Sequence, residues 1–494
     1  MNFIEALKNI TNIQQTENGA DGYKSTGHPF TDFLYKVSSL RSEEIDEIKE
    51  DAEEILNNEY ILRFLMYIRN PRNGIGERRT ARILLRELFV NHDWKNKKEC
   101  LDYTINHLYD YGRADDVICV FYQTKYFSDV CKSLKATLEN DLKVMEKNGP
   151  ITLLAKWMPS VNTSSKDTVE MAKAIIKEFG WSEKQYRTTL SKLRKYTNVV
   201  ERQMSHQEWD KIDYEKVPSL ANLRYEQAFM EHDTVRRSEY LKKLANGEAK
   251  INSSVNFPSD IVYRYSNDRS NKYNETYEQL WKNLADIEAL DNTIVVRDDS
   301  GSMTCNVGNS NVKAIDVATA LAIYCGERCN GDYKNKCITF SETPRYLDFS
   351  KYTTLKDKMN FLFRHCEIAN TDIKAVFTLI LNTAKNNKLK QEDLPEQILI
   401  ISDMEFDAGA NFKGNPIEES RKEFEEAGYK LPKLIFWNVN SRTKTIPVKE
   451  NELGVFLISG FSPMVLDLIK GIDQEKAIRE KLDKEYNEVP LLSF

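Results

Sequence analysis

Long apolar runs are missing from this 494-residue chain, cysteine and histidine are scarce, and neither sign of charge prevails. No stretch approaches the ~18–20 consecutive apolar residues of a membrane span, so no membrane association through a helix is expected. The opening MNFIEALKNITNIQQTENGADGYKSTGHPF has no apolar signal core, so no leader is expected either. The eight cysteines (Cys100, Cys119, Cys131, Cys305, Cys325, Cys329, Cys337, Cys366) include no CxxC pair and are sparse for this length. They are expected as reduced thiols of an intracellular, cytoplasmic protein. Cys325 and Cys329 lie one helical turn apart, with Cys337, His365 and Cys366 downstream; zinc is one reading, small core residues the other. The net charge of −6 argues against a uniformly basic nucleic-acid coat and leaves a local patch open.

What is present is a globular balance, 41% hydrophobic and 30% charged, long enough for two or three domains. Two textures divide it. From about residue 30 to 290, segments such as EYILRFLMYIRN, RRTARILLRELFVNH, KECLDYTINHLYDYG and DTVEMAKAIIKEFG repeat apolar residues at three and four spacing. Amphipathic helices separated by short turns predict paired helices stacked into an array. Beyond the polar stretch RYSNDRSNKYNETYEQ (264–279), short apolar runs alternate with helical segments: NTIVVRD, KCITFSE, EQILIISD, KLIFWNV and GVFLISG. That alternation predicts a doubly wound, mostly parallel sheet covered on both faces. The expected fold class is therefore α plus α/β, with domains at 1–288 and 289–494.

In a sheet of this kind, ligands gather beyond the carboxyl ends of strands. NTIVVRDDSGSM places Asp298, Ser300 and Ser302 there, spaced D-x-S-x-S, with Gly301 allowing the bend. Two further strand exits offer Thr371 with Asp372 (ANTDIKA) and Asp403 (IISDMEFD). Hydroxyls, few carboxylates and water suit Mg²⁺ or another hard divalent cation such as Mn²⁺. The competing reading makes Ser300 and Ser302 simple helix caps. Asp299 is the variable position, expected to face solvent. With no histidine in the motif and no general base beside it, binding rather than catalysis is expected.

The helical half carries a local basic excess. Residues 61–100 hold ten Lys/Arg against four Asp/Glu, and Pro71, Gly74 and Gly76 break the helix pattern there. Arg69, Arg72, Arg78 and Arg79 flank that turn, and Arg113 follows Gly112 in YDYGRADDV. Guanidinium groups near helix starts suit phosphate; a solvated helix face with internal ion pairs explains the same residues. Residues 185–221 interleave Arg187, Lys192, Arg194, Lys195 and Arg202 with Tyr186, Tyr196 and Trp209, a mixture that single-stranded RNA binding uses. For Trp209 and Tyr214, interhelix core is the better reading.

YIRNPRNGIGERR and YGRADDV, joined to the D-x-S-x-S half, resemble the TROVE and von Willebrand factor A two-domain architecture of the Ro ribonucleoprotein autoantigen family. NGADGYKSTGHPFTDFLY, LLAKWMPS, LRKYTNVVERQMSHQEWDKIDYEKVPS, LIFWNVN and LISGFSP are more similar to a TROVE-like family of unknown function in plants, fungi and large DNA viruses. The resemblance implies a monomeric ring of HEAT-like repeats closed by a von Willebrand-like domain. It further implies binding of small noncoding or misfolded RNA, for scaffolding or quality control. It makes Asp298, Ser300, Ser302, Thr371 and Asp403 the five positions of a metal-ion-dependent adhesion site, with Asp298 and Asp403 acting through water. An alternative is a protein-interaction scaffold, in a viral or phage assembly, whose metal captures a partner's carboxylate. The acidic stretch 391–430, with eleven Asp/Glu against four Lys/Arg, motivates it.

Overall fold

A computed structural model of the chain describes residues 12–268, 272–288, 290–340, 343–367, 372–406, 416–447, 455–469 and 473–494. The chain forms two compact units, Met1–Ile55 with Ser253–Asp483, and Leu56–Asn252 with Lys484–Phe494. It is thus an α plus α/β protein, with a helical region and a six-stranded, mostly parallel sheet. The division does not follow the expected 288/289 boundary or the 264–279 seam. Helix Pro258–Asn267 packs on helix Ala314–Arg328 through buried Ile261, Val262 and Tyr265, and helix Pro29–Lys36 packs on the last strand of the sheet. Helical periodicity marks an apolar face but does not say which neighbour covers it.

Among the described residues there are eight short strands: β1 (Ile13–Gln15), β2 (Asp21–Tyr23), β3 (Thr293–Asp298), β4 (Lys336–Phe340), β5 (Arg345–Asp348), β6 (Gln397–Ser402), β7 (Lys433–Asn438) and β8 (Val455–Ser459). The five apolar runs became β3, β4, β6, β7 and β8, and all five are almost wholly buried, as parallel strands covered on both faces must be. The sheet order is β5-β4-β3-β6-β7-β8; only the β4–β5 pair is antiparallel. From β3 the chain steps outward to β4 and β5, then returns to place β6 on the other side of β3. The order reverses there, so the carboxyl ends of β3 and β6 lie side by side at the crevice where such sheets bind ligands. One face of the sheet packs Ile294, Val296, Ile398 and Ile400 against Ile373, Val376 and Phe377 of helix Ile373–Asn387.

The polar strand β5 and the hairpin β1–β2 carry too little apolar pattern to be read from sequence, whereas helix Leu355–Arg364 does carry one and buries Leu355, Met359 and Leu362. The hairpin adds itself to the rim of the sheet: Tyr23 and Ile446 exchange backbone hydrogen bonds, both 2.8 Å. Gly22 permits this approach. A Cβ there would meet the Thr445 methyl at 2.4 Å and the Ile446 carbonyl oxygen at 2.7 Å.

In the other unit, the amphipathic segments fold as helices Ile61–Arg69, Arg78–Asn91, Lys97–Tyr111 and Lys166–Phe179. The last is capped at both ends, by the Ser165 hydroxyl on the Thr168 amide (3.3 Å) and by Gly180 in the left-handed conformation. The C-terminal segment returns to this unit. Tyr486 stacks on Tyr111 and meets Tyr67 edge-on, and Arg63 Nε donates to the Val489 carbonyl at 2.9 Å.

Candidate functional site

At the switch point the structure gathers four of the five expected oxygen-bearing residues. Asp298 Oδ1 accepts from the Ser300 amide at 2.8 Å, and Asp298 Oδ2 accepts from the Ser402 hydroxyl at 2.5 Å. The Ser300 and Ser302 hydroxyls are 2.9 Å apart, and the Ser302 hydroxyl also hydrogen-bonds the Asp403 carboxylate. A continuous chain of contacts therefore runs Ser402–Asp298–Ser300–Ser302–Asp403, linking the ends of β3 and β6. Neither serine caps a helix with its side chain: residues Gly301–Thr304 form a single 3₁₀ turn, without a side-chain cap bond. Thr371 lies outside the described residues. Asp372, beside it, caps helix Ile373–Asn387 by accepting from the Ala375 amide at 3.1 Å.

Asp299 does not face solvent. It is fully buried on the other side of the strand end, 2.7 Å from the equally buried Arg297, whose guanidinium also donates to Thr319 and the Leu362 carbonyl. Alternation along the strand explains it: with Asp298 turned to the crevice, its successor turns away. Asp298 and Asp403 are both held above the usual carboxylate range. Burial is the main cause for each, followed at Asp298 by the neighbouring negative charge of Asp403; at Asp403 the Arg442 guanidinium works in the opposite sense. Two buried carboxylates with two hydroxyls between them form a hard oxygen donor set that a divalent cation fits.

Glu405, two residues beyond Asp403, escaped the sequence reading and organises the rim. Fully buried, it accepts from the amides of Glu17 (2.8 Å), Arg442 (2.6 Å) and Thr443 (2.9 Å) and from the hydroxyls of Ser441 and Thr443. One carboxylate thus ties the β1–β2 turn to the loop after β7, and places Arg442 with its guanidinium 3.5 Å from Asp403 and paired to Glu17. A lone glutamate in an acidic stretch offers no sequence signal for such a role. Among the described residues no group of three or more His, Cys, Asp or Glu converges. Cys325, Cys329 and Cys337 are buried free thiols, with burial raising each above the ordinary thiol value.

The basic residues of the helical unit separate into two groups. Arg69 is buried and committed to Asp116 (2.7 Å), which also takes Arg82. Arg72, Arg78 and Arg79 are exposed around the 71–79 turn. Arg113 lies half-buried with its guanidinium carbon 4.6 Å from the ring centre of Trp157. Around helix Glu183–Thr197 the structure opens a groove of about 1420 Å³, lined by Lys156, Lys184, Arg187, Lys192, Arg194, Lys195 and Arg202 against only Glu183 and Glu201. Lys184, Arg187, Ser191 and Lys195 follow each other at three and four spacing, so one helix face carries the stripe. Five of the ten basic residues expected from the sequence, Arg187, Lys192, Arg194, Lys195 and Arg202, meet here; Lys156 and Lys184 join them, and the three and four spacing marks Lys184.

Arg194 plays a different part from its neighbours. Its guanidinium donates to the carbonyls of Ala155 (2.7 Å) and Met158 (2.7 Å) and to the Ser160 hydroxyl (2.9 Å), holding the 155–160 segment. Tyr186 is buried, its hydroxyl spent on the Pro159 carbonyl, and Tyr196 bonds the Gly149 carbonyl. Tyr214 is core, as expected, stacked on Tyr240; Trp209 is half-buried and stacks on His232.

Residues 292–489 match the family described as "Domain of unknown function (DUF7788)", and residues 181–292 match "Domain of unknown function (DUF2828)". The first match begins at β3 and contains the Asp298–Asp403 crevice; the second begins at the basic helix. Over 505 aligned residues the chain is 26% identical to the Uncharacterized protein L728 of Acanthamoeba polyphaga mimivirus, covering 94% of this chain and 86% of the viral protein. No helix among the described residues is long and apolar enough to cross a membrane.

Proposed function

We propose that this chain is a cytoplasmic RNA-binding protein of the Ro-like, TROVE and von Willebrand factor A type. Small noncoding or structured RNA lies on the helical unit, in the manner of a scaffold or quality-control factor. The observation that carries this reading is the groove along helix Glu183–Thr197, with seven Lys/Arg and two Glu on its walls in a chain of net charge −6. Its volume exceeds the ~300–1,000 Å³ of small-ligand pockets. Lys184, Lys192 and Lys195 enter no ion pair among the described residues, so their charge is available to phosphates. The test is RNA affinity at 50 and 200 mM salt, for wild type and for an Arg187→Ala/Lys192→Ala/Lys195→Ala variant. Counterion release predicts a steep fall with salt for wild type and a slope shallower by ~2 for the variant, at ~0.7 per lost single-strand contact. Equal, weak binding by both proteins contradicts the proposal.

A second reading has its own support in the contact chain from Ser402 to Asp403. Asp298, Ser300, Ser302 and Asp403 would hold Mg²⁺ or Mn²⁺, with Thr371 as the fifth position that the resemblance implies. A bound cation would supply a fixed positive charge able to hold a partner's carboxylate, making this end of the sheet a protein-docking site and not a catalytic one. Calorimetric Mg²⁺ titration of wild type and Asp298→Ala tests it. Binding by wild type alone supports the cation; absence of binding by wild type contradicts it.

A further inference from the structure

Two basic blocks that lie far apart in sequence, around residues 69–113 and 184–202, meet at Trp157. Lys156 is the link: it lines the groove, and its ammonium sits 5.6 Å from the Trp157 ring centre, while Arg113 approaches the same ring at 4.6 Å. Trp157 is half-buried, on the segment that Arg194 fixes through the Ala155 and Met158 carbonyls. Asp115 and Asp116, the carboxylates next in sequence to Arg113, are occupied by Arg69 and Arg82. Neither Arg113 nor Arg78 therefore forms an ion pair among the described residues. Burial is the main cause lowering the Arg113 pKa; the charges of Arg78 and Arg69 add to it, and those of Asp115 and Asp116 oppose it. A guanidinium layered on an indole offers a planar surface that extends by one more ring. Of the aromatic rings lining the groove, Tyr186 is buried and turned into the protein, and His206 is exposed.

We propose that Arg113 and Trp157 form a nucleotide-reading station continuous with the groove. One base of the bound strand extends the Arg113–Trp157 stack. The inference rests on the RNA reading above and adds to it a point where a base, and not only the backbone, is sensed. Lys192 and Lys195 hold phosphates without regard to sequence; Arg194 is a positioning residue for the station.

The test compares the full chain's affinity for a 12-nucleotide oligoadenylate and for an abasic ribose-phosphate 12-mer, by fluorescence anisotropy at 100 mM salt. Wild type is expected to prefer the adenylate by about tenfold, the worth of one stacked base. Trp157→Ala and Arg113→Lys are expected to bind both oligomers equally, at the wild-type abasic affinity. Arg113→Lys keeps the charge and the fold while removing the plane. Lys192→Ala/Lys195→Ala weakens both oligomers alike and preserves the ratio. A tenfold ratio that persists in Arg113→Lys and Trp157→Ala, or a wild type without preference, overturns the station while leaving the groove. Binding of neither oligomer by wild type overturns the RNA reading and the station together. Tighter capture of an oligoglutamate of equal charge than of either 12-mer also overturns both, in favour of an acidic protein partner.

Discussion

The crevice at the end of the sheet and the groove of the helical unit handle charge in opposite ways. In the crevice the carboxylates are buried and each has fixed partners: Asp298 on Ser300 and Ser402, Asp403 on Ser302 and Arg442, Glu405 on three amides. In the groove the lysines are exposed and most have none. Buried charge must be satisfied locally or it destabilises the fold, so its geometry is over-determined. Exposed charge costs little to leave unpaired, so it can be held in reserve for an outside polyanion. Under the proposed readings, one region would hold a small ion in a set arrangement and the other a long ligand by summed attraction.

That contrast breaks most visibly at Glu405. Glu405→Ala removes the acceptor of three part-buried amides and two hydroxyls, and should lower the stability of the sheet unit by ~3 kcal/mol in urea unfolding of the full chain, with RNA affinity unchanged. Charge reversal in the groove, Arg187→Glu/Lys192→Glu/Lys195→Glu, should do the converse. RNA affinity at 50 mM salt drops by about two to three orders of magnitude, while the melting temperature stays put. Within the groove, Arg194→Ala should cost ~2 kcal/mol because three acceptors lose their donor, whereas Arg187→Ala changes stability by less than ~0.5 kcal/mol and weakens RNA. Matched unfolding and anisotropy curves for the two variants check this.

The smallest effect concerns pH. Asp298 and Asp403 are raised in the folded protein from the ordinary carboxylate value of 3.8, so between that value and neutrality the native state keeps protons that the unfolded chain has lost. Their contribution to stability is complete below pH ~4 and is lost as pH rises through the folded values. Without divalent cations, wild type should melt about 2–4 °C lower at pH 8.5 than at pH 5.5 from this pair. Asp298→Asn should flatten that difference, and Mg²⁺ should restore wild type at the higher pH, since a cation favours the ionised carboxylates. A slope that is unchanged in Asp298→Asn assigns it to other groups.

Legibility followed the same divide. The five core strands and the cluster at Asp298, Ser300, Ser302 and Asp403 could be read because a buried strand is a continuous apolar run and its exit carries a compact motif. The hairpin β1–β2 and strand β5 could not, being three or four residues long and largely polar. Nor could the allegiance of helices Pro29–Lys36 and Pro258–Asn267 to the sheet, which depends on long-range packing. In the helical unit, counting basic residues found the right neighbourhood but not the roles: Arg69 and Arg194 are spent inside the protein, while Lys156 and Lys184, overlooked, face the groove. A side chain's charge is visible in a sequence; whether a carbonyl or carboxylate already claims it is not.

The central claim is that RNA and cation are assigned to separate regions, RNA to the basic groove and the divalent ion to the oxygen-lined crevice. Photo-crosslinking of RNA to the full chain, with the linked peptides mapped by mass spectrometry, tests it most directly. The account predicts crosslinks within residues 156–162 and 183–206, present with Mg²⁺ or EDTA alike. Crosslinks concentrated instead at residues 298–305, 403–406 or 441–443, and lost in EDTA, would contradict it.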